Sequence, residues 1–163
     1  MTVVTTYLPS NKCSDSYPSL FGTMMVKNGP LFIVAENIFY HMMGKMVKGY
    51  KGGSYVFLKV ETNLVDIEPS GFMPLIANDQ ERIVQVESEF EAAEMSYAAA
   101  CAVVWQFTLQ VIADTIHRLN EQQAVKIYKT LQDFQYCRAE MTKPDGSKLF
   151  TETDLKAIYK LTN

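Results

Sequence analysis

The apolar pattern of this 163-residue chain changes period twice, and this change constrains the fold more than any other feature. Residues 37–48 carry apolar side chains in pairs four apart, which is the spacing of one helical face. Three runs between 54 and 87 are rich in aromatic and β-branched residues or alternate as strands do. Helical spacing returns from Ser96. The sequence therefore predicts an α+β fold in two layers: a small antiparallel β-meander sheet packed with an N-terminal helix and C-terminal helices.

Turn and capping residues set the expected boundaries of these elements. Gly49 is expected to end the first helix, and Leu31–Val34 before it to form a short strand or an extended lead-in. Ser96 and Asn120 are expected to cap two helices, which could also run on as one, and Thr151-x-x-Asp154 to start a last short helix. Pro74 indicates an edge strand or a bulge. The predicted strands are 54–60, 71–76 and 82–87.

Composition and length indicate one globular domain. The chain is 48% hydrophobic and 20% charged, which is ordinary for a folded domain of this size. Residues 1–19 are polar and contain Pro9 and Pro18, so we expect a flexible N-terminal arm there and a single domain over 20–163.

The cysteines and the apolar runs bear on the compartment. Cys13, Cys101 and Cys137 are an odd number without CxxC spacing, which argues against a disulfide framework or a zinc site. Cys101 and Cys137 fall in helical patterns, which predicts small buried side chains. We find no basic leader and no run of 18 apolar residues, so we expect a cytoplasmic protein without a membrane contact.

The net charge of -3 argues against both a strongly basic nucleic-acid binder and a heavily acidic mimic of DNA. Its distribution is uneven. Residues 1–59 hold six cations and two anions, 60–97 hold nine anions and one cation, and 98–163 hold eight cations and seven anions. The negative charge is thus concentrated between the predicted sheet and the long helix.

No pattern of catalytic or cofactor-binding residues is found. His41 and His117 are the only histidines, neither belongs to a recognisable catalytic set, and phosphate-loop and dinucleotide motifs are absent. We therefore expect no cofactor, no metal and no enzymatic activity. Four glutamates between 87 and 94 favour a solvated acidic face over an acid/base pair.

Two further groups leave alternatives open. Met42, Met43 and Met46 have core spacing, although a soft groove for partners is the other interpretation. Tyr55 and Phe57, with Tyr50 and the lysines beside them, favour packing of a sheet over an aromatic, basic platform for nucleic acid.

Five segments, in the same order, resemble the ArdB/KlcA antirestriction family. Tyr50-Lys-Gly-Gly-Ser-Tyr-Val-Phe57 is similar to its Tyr-x-Gly-Gly-x-Trp-x-Phe pattern, and Glu36-Asn-Ile-Phe-Tyr-His-Met42 to the helix before that pattern. The other matching segments are Tyr17-Pro-x-x-Phe21-Gly22, Ser70-Gly-Phe-Met73 and Ala93-Glu-Met-Ser-Tyr-Ala-Ala-Ala100. Tyr55 stands where the family has Trp, Tyr97 where it has Pro, and the tail from about Met141 is extra.

The resemblance implies a counter-defence protein of plasmids, phages and other mobile elements. Such proteins reduce cleavage of unmodified incoming DNA by host type I restriction-modification enzymes, without catalysis and without imitating a whole duplex. The expected partner is that enzyme complex or an associated DNA-processing protein, with no strong direct DNA binding and with a monomer or weak dimer as the active form. The alternatives are a nucleic-acid-binding module and an enzyme acting on nucleic acid. The candidate interaction residues are Tyr50, Gly52, Gly53, Tyr55, Glu87, Glu89, Glu91 and Glu94.

Overall fold

Four α-helices and three β-sheets form the described part of the chain. The computed structural model describes residues 3–9, 17–18, 25–26, 30–62, 71–143 and 145–162. The strands are β1 (Val3–Pro9), β2 (Tyr17–Pro18), β3 (Met25–Val26), β4 (Tyr55–Thr62), β5 (Gly71–Ile76), β6 (Ile83–Glu87), β7 (Ala92–Ser96) and β8 (Met141–Thr142). The helices are α1 (Pro30–Met46), α2 (Tyr97–Ile116), α3 (Glu121–Cys137) and α4 (Glu152–Thr162). The predicted α+β class is confirmed.

The largest sheet has the strand order β5-β4-β1-β8. Strand β4 pairs antiparallel with both β1 and β5, and β8 adds parallel to β1. Strand β1 falls inside the segment 1–19, so part of the expected arm is paired in the sheet. Apart from β2, the rest of that segment lies outside the described residues, and the boundary between arm and domain stays a prediction.

The third predicted strand pairs differently from the expected meander. Strand β6 pairs antiparallel with β7 in a separate hairpin, with Ile83 opposite Ser96 and Glu87 opposite Ala92. Residues 92–96 lack β-branched and aromatic side chains, so they carry no local signal for a strand. Strand β5 is at a sheet edge, as Pro74 predicted, because an edge tolerates a residue without an N–H.

The caps of α2 and α3 are confirmed, whereas both ends of α1 are corrected: the helix ends at Met46, and Gly49, the predicted stop, lies in the turn that follows with φ +76°. Helix α1 begins at Pro30, so Leu31–Val34 is helical rather than a strand or lead-in. Proline suits a first helical position because its φ is already helical and its missing N–H has no partner there. The Ser96 Oγ accepts a hydrogen bond from Ala99 N, and Asn120 caps α3 as a separate helix.

Helix α2 lies at the centre of the core. It contacts α1, α3, α4 and the strands β5, β6 and β7. By length and composition it could cross a membrane, but more than half of its apolar stretch is buried inside the fold, as in the core helix of a globular protein. Cys101 and Cys137 are buried, as predicted, and Cys13 lies outside the described residues.

A buried carboxylate ties α4 to the start of α2. Asp154 is only 3% exposed. Its Oδ1 accepts from Ser96 N at 2.9 Å, and its Oδ2 accepts from Ser96 Oγ at 2.9 Å and from Thr151 N at 3.1 Å. Thr151 Oγ1 accepts from Asp154 N at 3.0 Å, so the two residues form a capping box, and the predicted start of the last helix at Thr151-x-x-Asp154 is confirmed. The tail beyond Met141 is therefore an integral part of the fold.

Asp154→Ala is expected to lower the free energy of unfolding by about 3 kcal/mol, because it leaves buried donors of Ser96 and Thr151 without their acceptor. Urea unfolding followed by circular dichroism measures the change. Asp145→Ala is the matched control, since Asp145 accepts from Ser147 in an exposed turn. Equal destabilisation by the two variants would contradict the role assigned to Asp154.

Candidate interaction surface

A pair of phenols closes the turn between α1 and β4. The hydroxyls of Tyr50 and Tyr55 lie 2.7 Å apart, at hydrogen-bonding distance. The Tyr55 ring is 6% exposed and packs against the rings of Phe39 and Tyr40, with centroids 5.6 Å and 5.1 Å away. Burial and the hydrogen bond with Tyr50 raise the pKa of Tyr55 well above its ordinary value. Of the two tyrosines named as interaction candidates, only Tyr50 therefore reaches the surface.

Backbone conformation and packing explain why glycine occupies both Gly52 and Gly53 in this turn. Gly52 has φ +87°, in the left-handed region that favours glycine. A Cβ on Gly53 would lie 2.7 Å from the Cδ1 of Ile76. The Gly-Gly pair is thus explained by the fold of the turn without a ligand.

A cleft of about 290 Å³ opens between this turn and the start of β6. Lys51 and Arg82 line it together with Asp79. The Arg82 guanidinium lies 5.1 Å from the centroid of the Tyr97 ring, within cation–π range. The aromatic platform considered from the sequence does not form here, because Tyr55 and Phe57 are buried in the core.

The β6–β7 hairpin carries the four candidate glutamates. Gln85 is paired with Glu94, and the Gln85 Nε2 donates to Glu87 Oε1 at 2.9 Å, so these side chains share the outward face. Ser88 N donates to Glu91 O at 2.8 Å and closes the turn that contains Glu89. All four glutamates are exposed. The acidic run predicted from the sequence is therefore one side and the tip of a hairpin.

Two contacts fix the position of this hairpin. The Lys48 N–H donates to Gln85 O at 3.0 Å, and Val47 forms a β-bridge with Val86, so the end of α1 adds to β6. At the tip, Lys160 of α4 lies 3.8 Å from Glu91, a half-exposed ion pair that contributes little.

A groove of about 650 Å³ lies between the hairpin, α1 and α2. Its apolar lining comes from the two helices, and Glu87 and Glu89 form the hairpin wall. His41 and Lys45 lie on the α1 side. The apolar residues are Ile38, Met42, Met46, Phe107 and Val111.

The predicted candidates thus fall into two separate places. The groove holds Glu87 and Glu89, whereas Gly52 and Gly53 line the cleft, and the two cavities share no lining residue. Met43 and Met46 are buried in the core, as the core interpretation of the methionines predicted. The half-buried Met42 lines the groove, and a role of the methionines in binding a partner stays a prediction.

Sequence reasoning missed three residues of this region. Phe107 and Val111 have core spacing on α2, yet Val111 is 42% exposed and Phe107 is half-buried in the groove. Phe90, in the hairpin turn, is 86% exposed. The available signal was its position as the single aromatic residue among four glutamates, a polar context in which a side chain is expected to be exposed.

The two histidines lie in different parts of the fold. His41 shares the groove with Glu87 and Glu89, and His117 follows the end of α2. Within the described ranges, no group of three His, Cys, Asp or Glu side chains could hold a metal ion. Neither a scan against protein-family models nor a search of curated proteins finds a match to this chain.

Alanine substitutions at Gly52 of the turn and at Gly44 of α1 are expected to change the free energy of unfolding in opposite directions. Gly52→Ala should lower the free energy of unfolding by about 1–2 kcal/mol because of its left-handed backbone. Gly44→Ala should raise it by about 0.5–1 kcal/mol, since a Cβ there meets only Tyr50 Cδ1 at 4.0 Å within a helix. Chemical unfolding measures both, and a stabilising Gly52→Ala would contradict the strained-turn account.

Alkaline pH is expected to destabilise the fold through Tyr55. Because its folded pKa lies above its ordinary 10.0, its contribution is full below about pH 10 and is lost as pH rises further. Tyr55→Phe should make the decline of the unfolding free energy above pH 10 shallower. Tyr136→Phe, at a 60% exposed position, is the control and should leave the slope unchanged. Identical slopes in both variants would refute the assignment.

Proposed function

We propose that this chain is a non-catalytic antirestriction protein similar in role to the ArdB/KlcA family. It acts in the cytoplasm, needs no cofactor, and reduces cleavage of unmodified incoming DNA by host type I restriction-modification enzymes. The partner is the restriction complex or an associated DNA-processing protein.

The observation that carries the proposal is the meeting of the family-like segments in one structural unit. Phe39 and Tyr40, from the segment 36–42, pack on Tyr55 of the segment 50–57. Strand β4 begins at Tyr55 and pairs with β5, which holds the Gly-Phe-Met segment. Segments that are similar in sequence and separated along the chain therefore build a single cluster, which supports a shared fold as the basis of the resemblance.

Charge supports a protein contact over DNA mimicry. The net charge of -3 is small, and four of the eighteen acidic residues lie together on one hairpin that carries no lysine or arginine. A local acidic surface suits a basic patch on a protein partner, where charge complementarity steers association. The exposed Phe90 in the same hairpin adds the aromatic anchor that protein interfaces favour.

A plating assay tests this function. The wild-type protein, expressed in a host with a type I restriction system, should raise the plating efficiency of unmodified phage. Charge reversal to Lys at Glu87, Glu89 and Glu91 should reduce that protection at least about tenfold, which corresponds to about 1.4 kcal/mol of lost contact.

The control carries the same change of charge on other surfaces. The control variant carries Glu81→Lys, Glu121→Lys and Glu152→Lys, three exposed positions outside the hairpin. It should leave protection intact. Unchanged restriction with well-expressed wild-type protein sinks the proposed function. Protection that survives reversal in the hairpin removes only the proposed surface.

A direct nucleic-acid-binding module is the second candidate, favoured by the cleft that places Lys51 near Arg82. Gel shifts decide between the two. Retardation of DNA that weakens steeply with salt supports this candidate, and absence of retardation at low salt removes it.

A nucleic-acid-acting enzyme would instead lose turnover in His41→Gln, since His41 shares the groove with carboxylates.

A further inference from the structure

We propose that the groove between α1, α2 and the β6–β7 hairpin binds a cationic amphipathic helix of the partner protein. This groove would be the surface through which the protein contacts its partner. The identity of that partner rests on the proposed antirestriction function. The chemistry of the groove specifies the occupant, and four features carry the inference: the apolar floor, the acidic wall, the backbone pairing of the hairpin and the exposed Phe90.

The groove floor is apolar and adaptable. Met42 and Met46 of α1 line it together with Phe107 and Val111 of α2. Unbranched methionines repack around varied side chains, which suits a surface that receives another protein. Its volume of about 650 Å³ is within the range of cavities that hold drug-sized molecules, so several apolar side chains of one helix face fit.

The hairpin wall selects positive charge. Residues 83–96 contain four glutamates and no lysine or arginine. Glu87 and Glu89 line the groove, and Glu89 forms no ion pair within the described part of the chain. Lys45 lies on the opposite, α1 side. A helix with Lys or Arg along the flank beside the hairpin and uncharged or acidic residues along the other flank matches both walls.

Backbone pairing argues for a helix over a strand as the occupant. One edge of β6 is paired with β7, and the other receives the Lys48 N–H and the Val47 bridge. Strand β7 packs against α4. At Gln85 and Val86 both edges of β6 are therefore occupied, which disfavours an added strand, whereas a helix satisfies its own backbone and needs only side-chain anchors.

Phe90 completes the site at the hairpin tip. It follows directly on Glu87, Ser88 and Glu89 of the groove wall and is 86% exposed. The turn that carries it is fixed, because Ser88 and Glu91 exchange hydrogen bonds through Ser88 N, Ser88 Oγ and Glu91 N. The fixed turn thus presents an exposed aromatic side chain next to the groove wall, where it is available to contact an inserted helix.

The test uses the full chain and a synthetic probe helix of about 18 residues, roughly 27 Å long. The probe carries Leu at i, i+3, i+4 and i+7, Lys on one flank and Gln elsewhere. Fluorescence anisotropy measures its affinity, and a probe with Glu in place of Lys is the control. The Lys probe should bind at least about tenfold more tightly than the Glu probe, with a preference that falls as salt rises.

Paired variants locate the binding to the groove. Val111→Lys should weaken binding of the Lys probe at least about tenfold, or about 1.4 kcal/mol. Val125→Lys, the same change at a 56% exposed position of α3, should not. Glu87→Lys with Glu89→Lys should weaken binding more than Glu152→Lys on α4. Thermal unfolding of each variant shows that its fold is retained.

Three results would overturn the inference: no binding of the Lys probe at low salt, equal binding of the Glu probe, or equal effects of the groove and control variants. These outcomes are separate from those of the plating assay. Probe binding without phage protection rejects the antirestriction role and keeps the groove, whereas protection without probe binding rejects the groove alone.

Discussion

The fold depends on a carboxylate that serves two helix starts at once. Asp154 accepts from Thr151 in the capping box of α4 and from Ser96, the residue that caps α2. Burying an anion is expensive unless hydrogen bonds replace its water, and the N-terminal ends of two helices supply donors and partial positive charge. These hydrogen bonds hold α4 against α2, and they explain why the segment after Met141 is built into the core.

This link also determines where the hairpin lies. Ser96 is the last residue of β7, so fixing its backbone N–H fixes the end of the β6–β7 hairpin next to α2. The hairpin is held a second time where Lys48 donates to Gln85. With both places fixed, the acidic wall stands at a set distance from α1 and α2. The groove is thus a consequence of how the core is assembled, and it does not require a ligand to form.

Local signals were readable from the sequence, and pairings between distant segments were not. The caps at Ser96, Asn120 and Thr151 depend on residues three apart, so spacing alone predicted them. The partner of β6 depends instead on which distant segment buries it better, and residues 92–96 have no strand propensity of their own. The acidic candidates were found because charge is visible in sequence. Val111 was missed because exposure on a helix depends on which neighbours cover it.

The density of charge on the hairpin is too low to imitate DNA, so the inferred contact depends on the apolar groove as well as on the acidic wall. A five-residue strand of the hairpin spans about 17 Å, over which duplex DNA carries about ten phosphates. The hairpin offers four glutamates over that length, and one of them is paired with Lys160. Such a sparse array is a weak substitute for DNA. The same glutamates beside an apolar floor, with Phe90 at the tip, match a protein helix that brings cations and apolar side chains together.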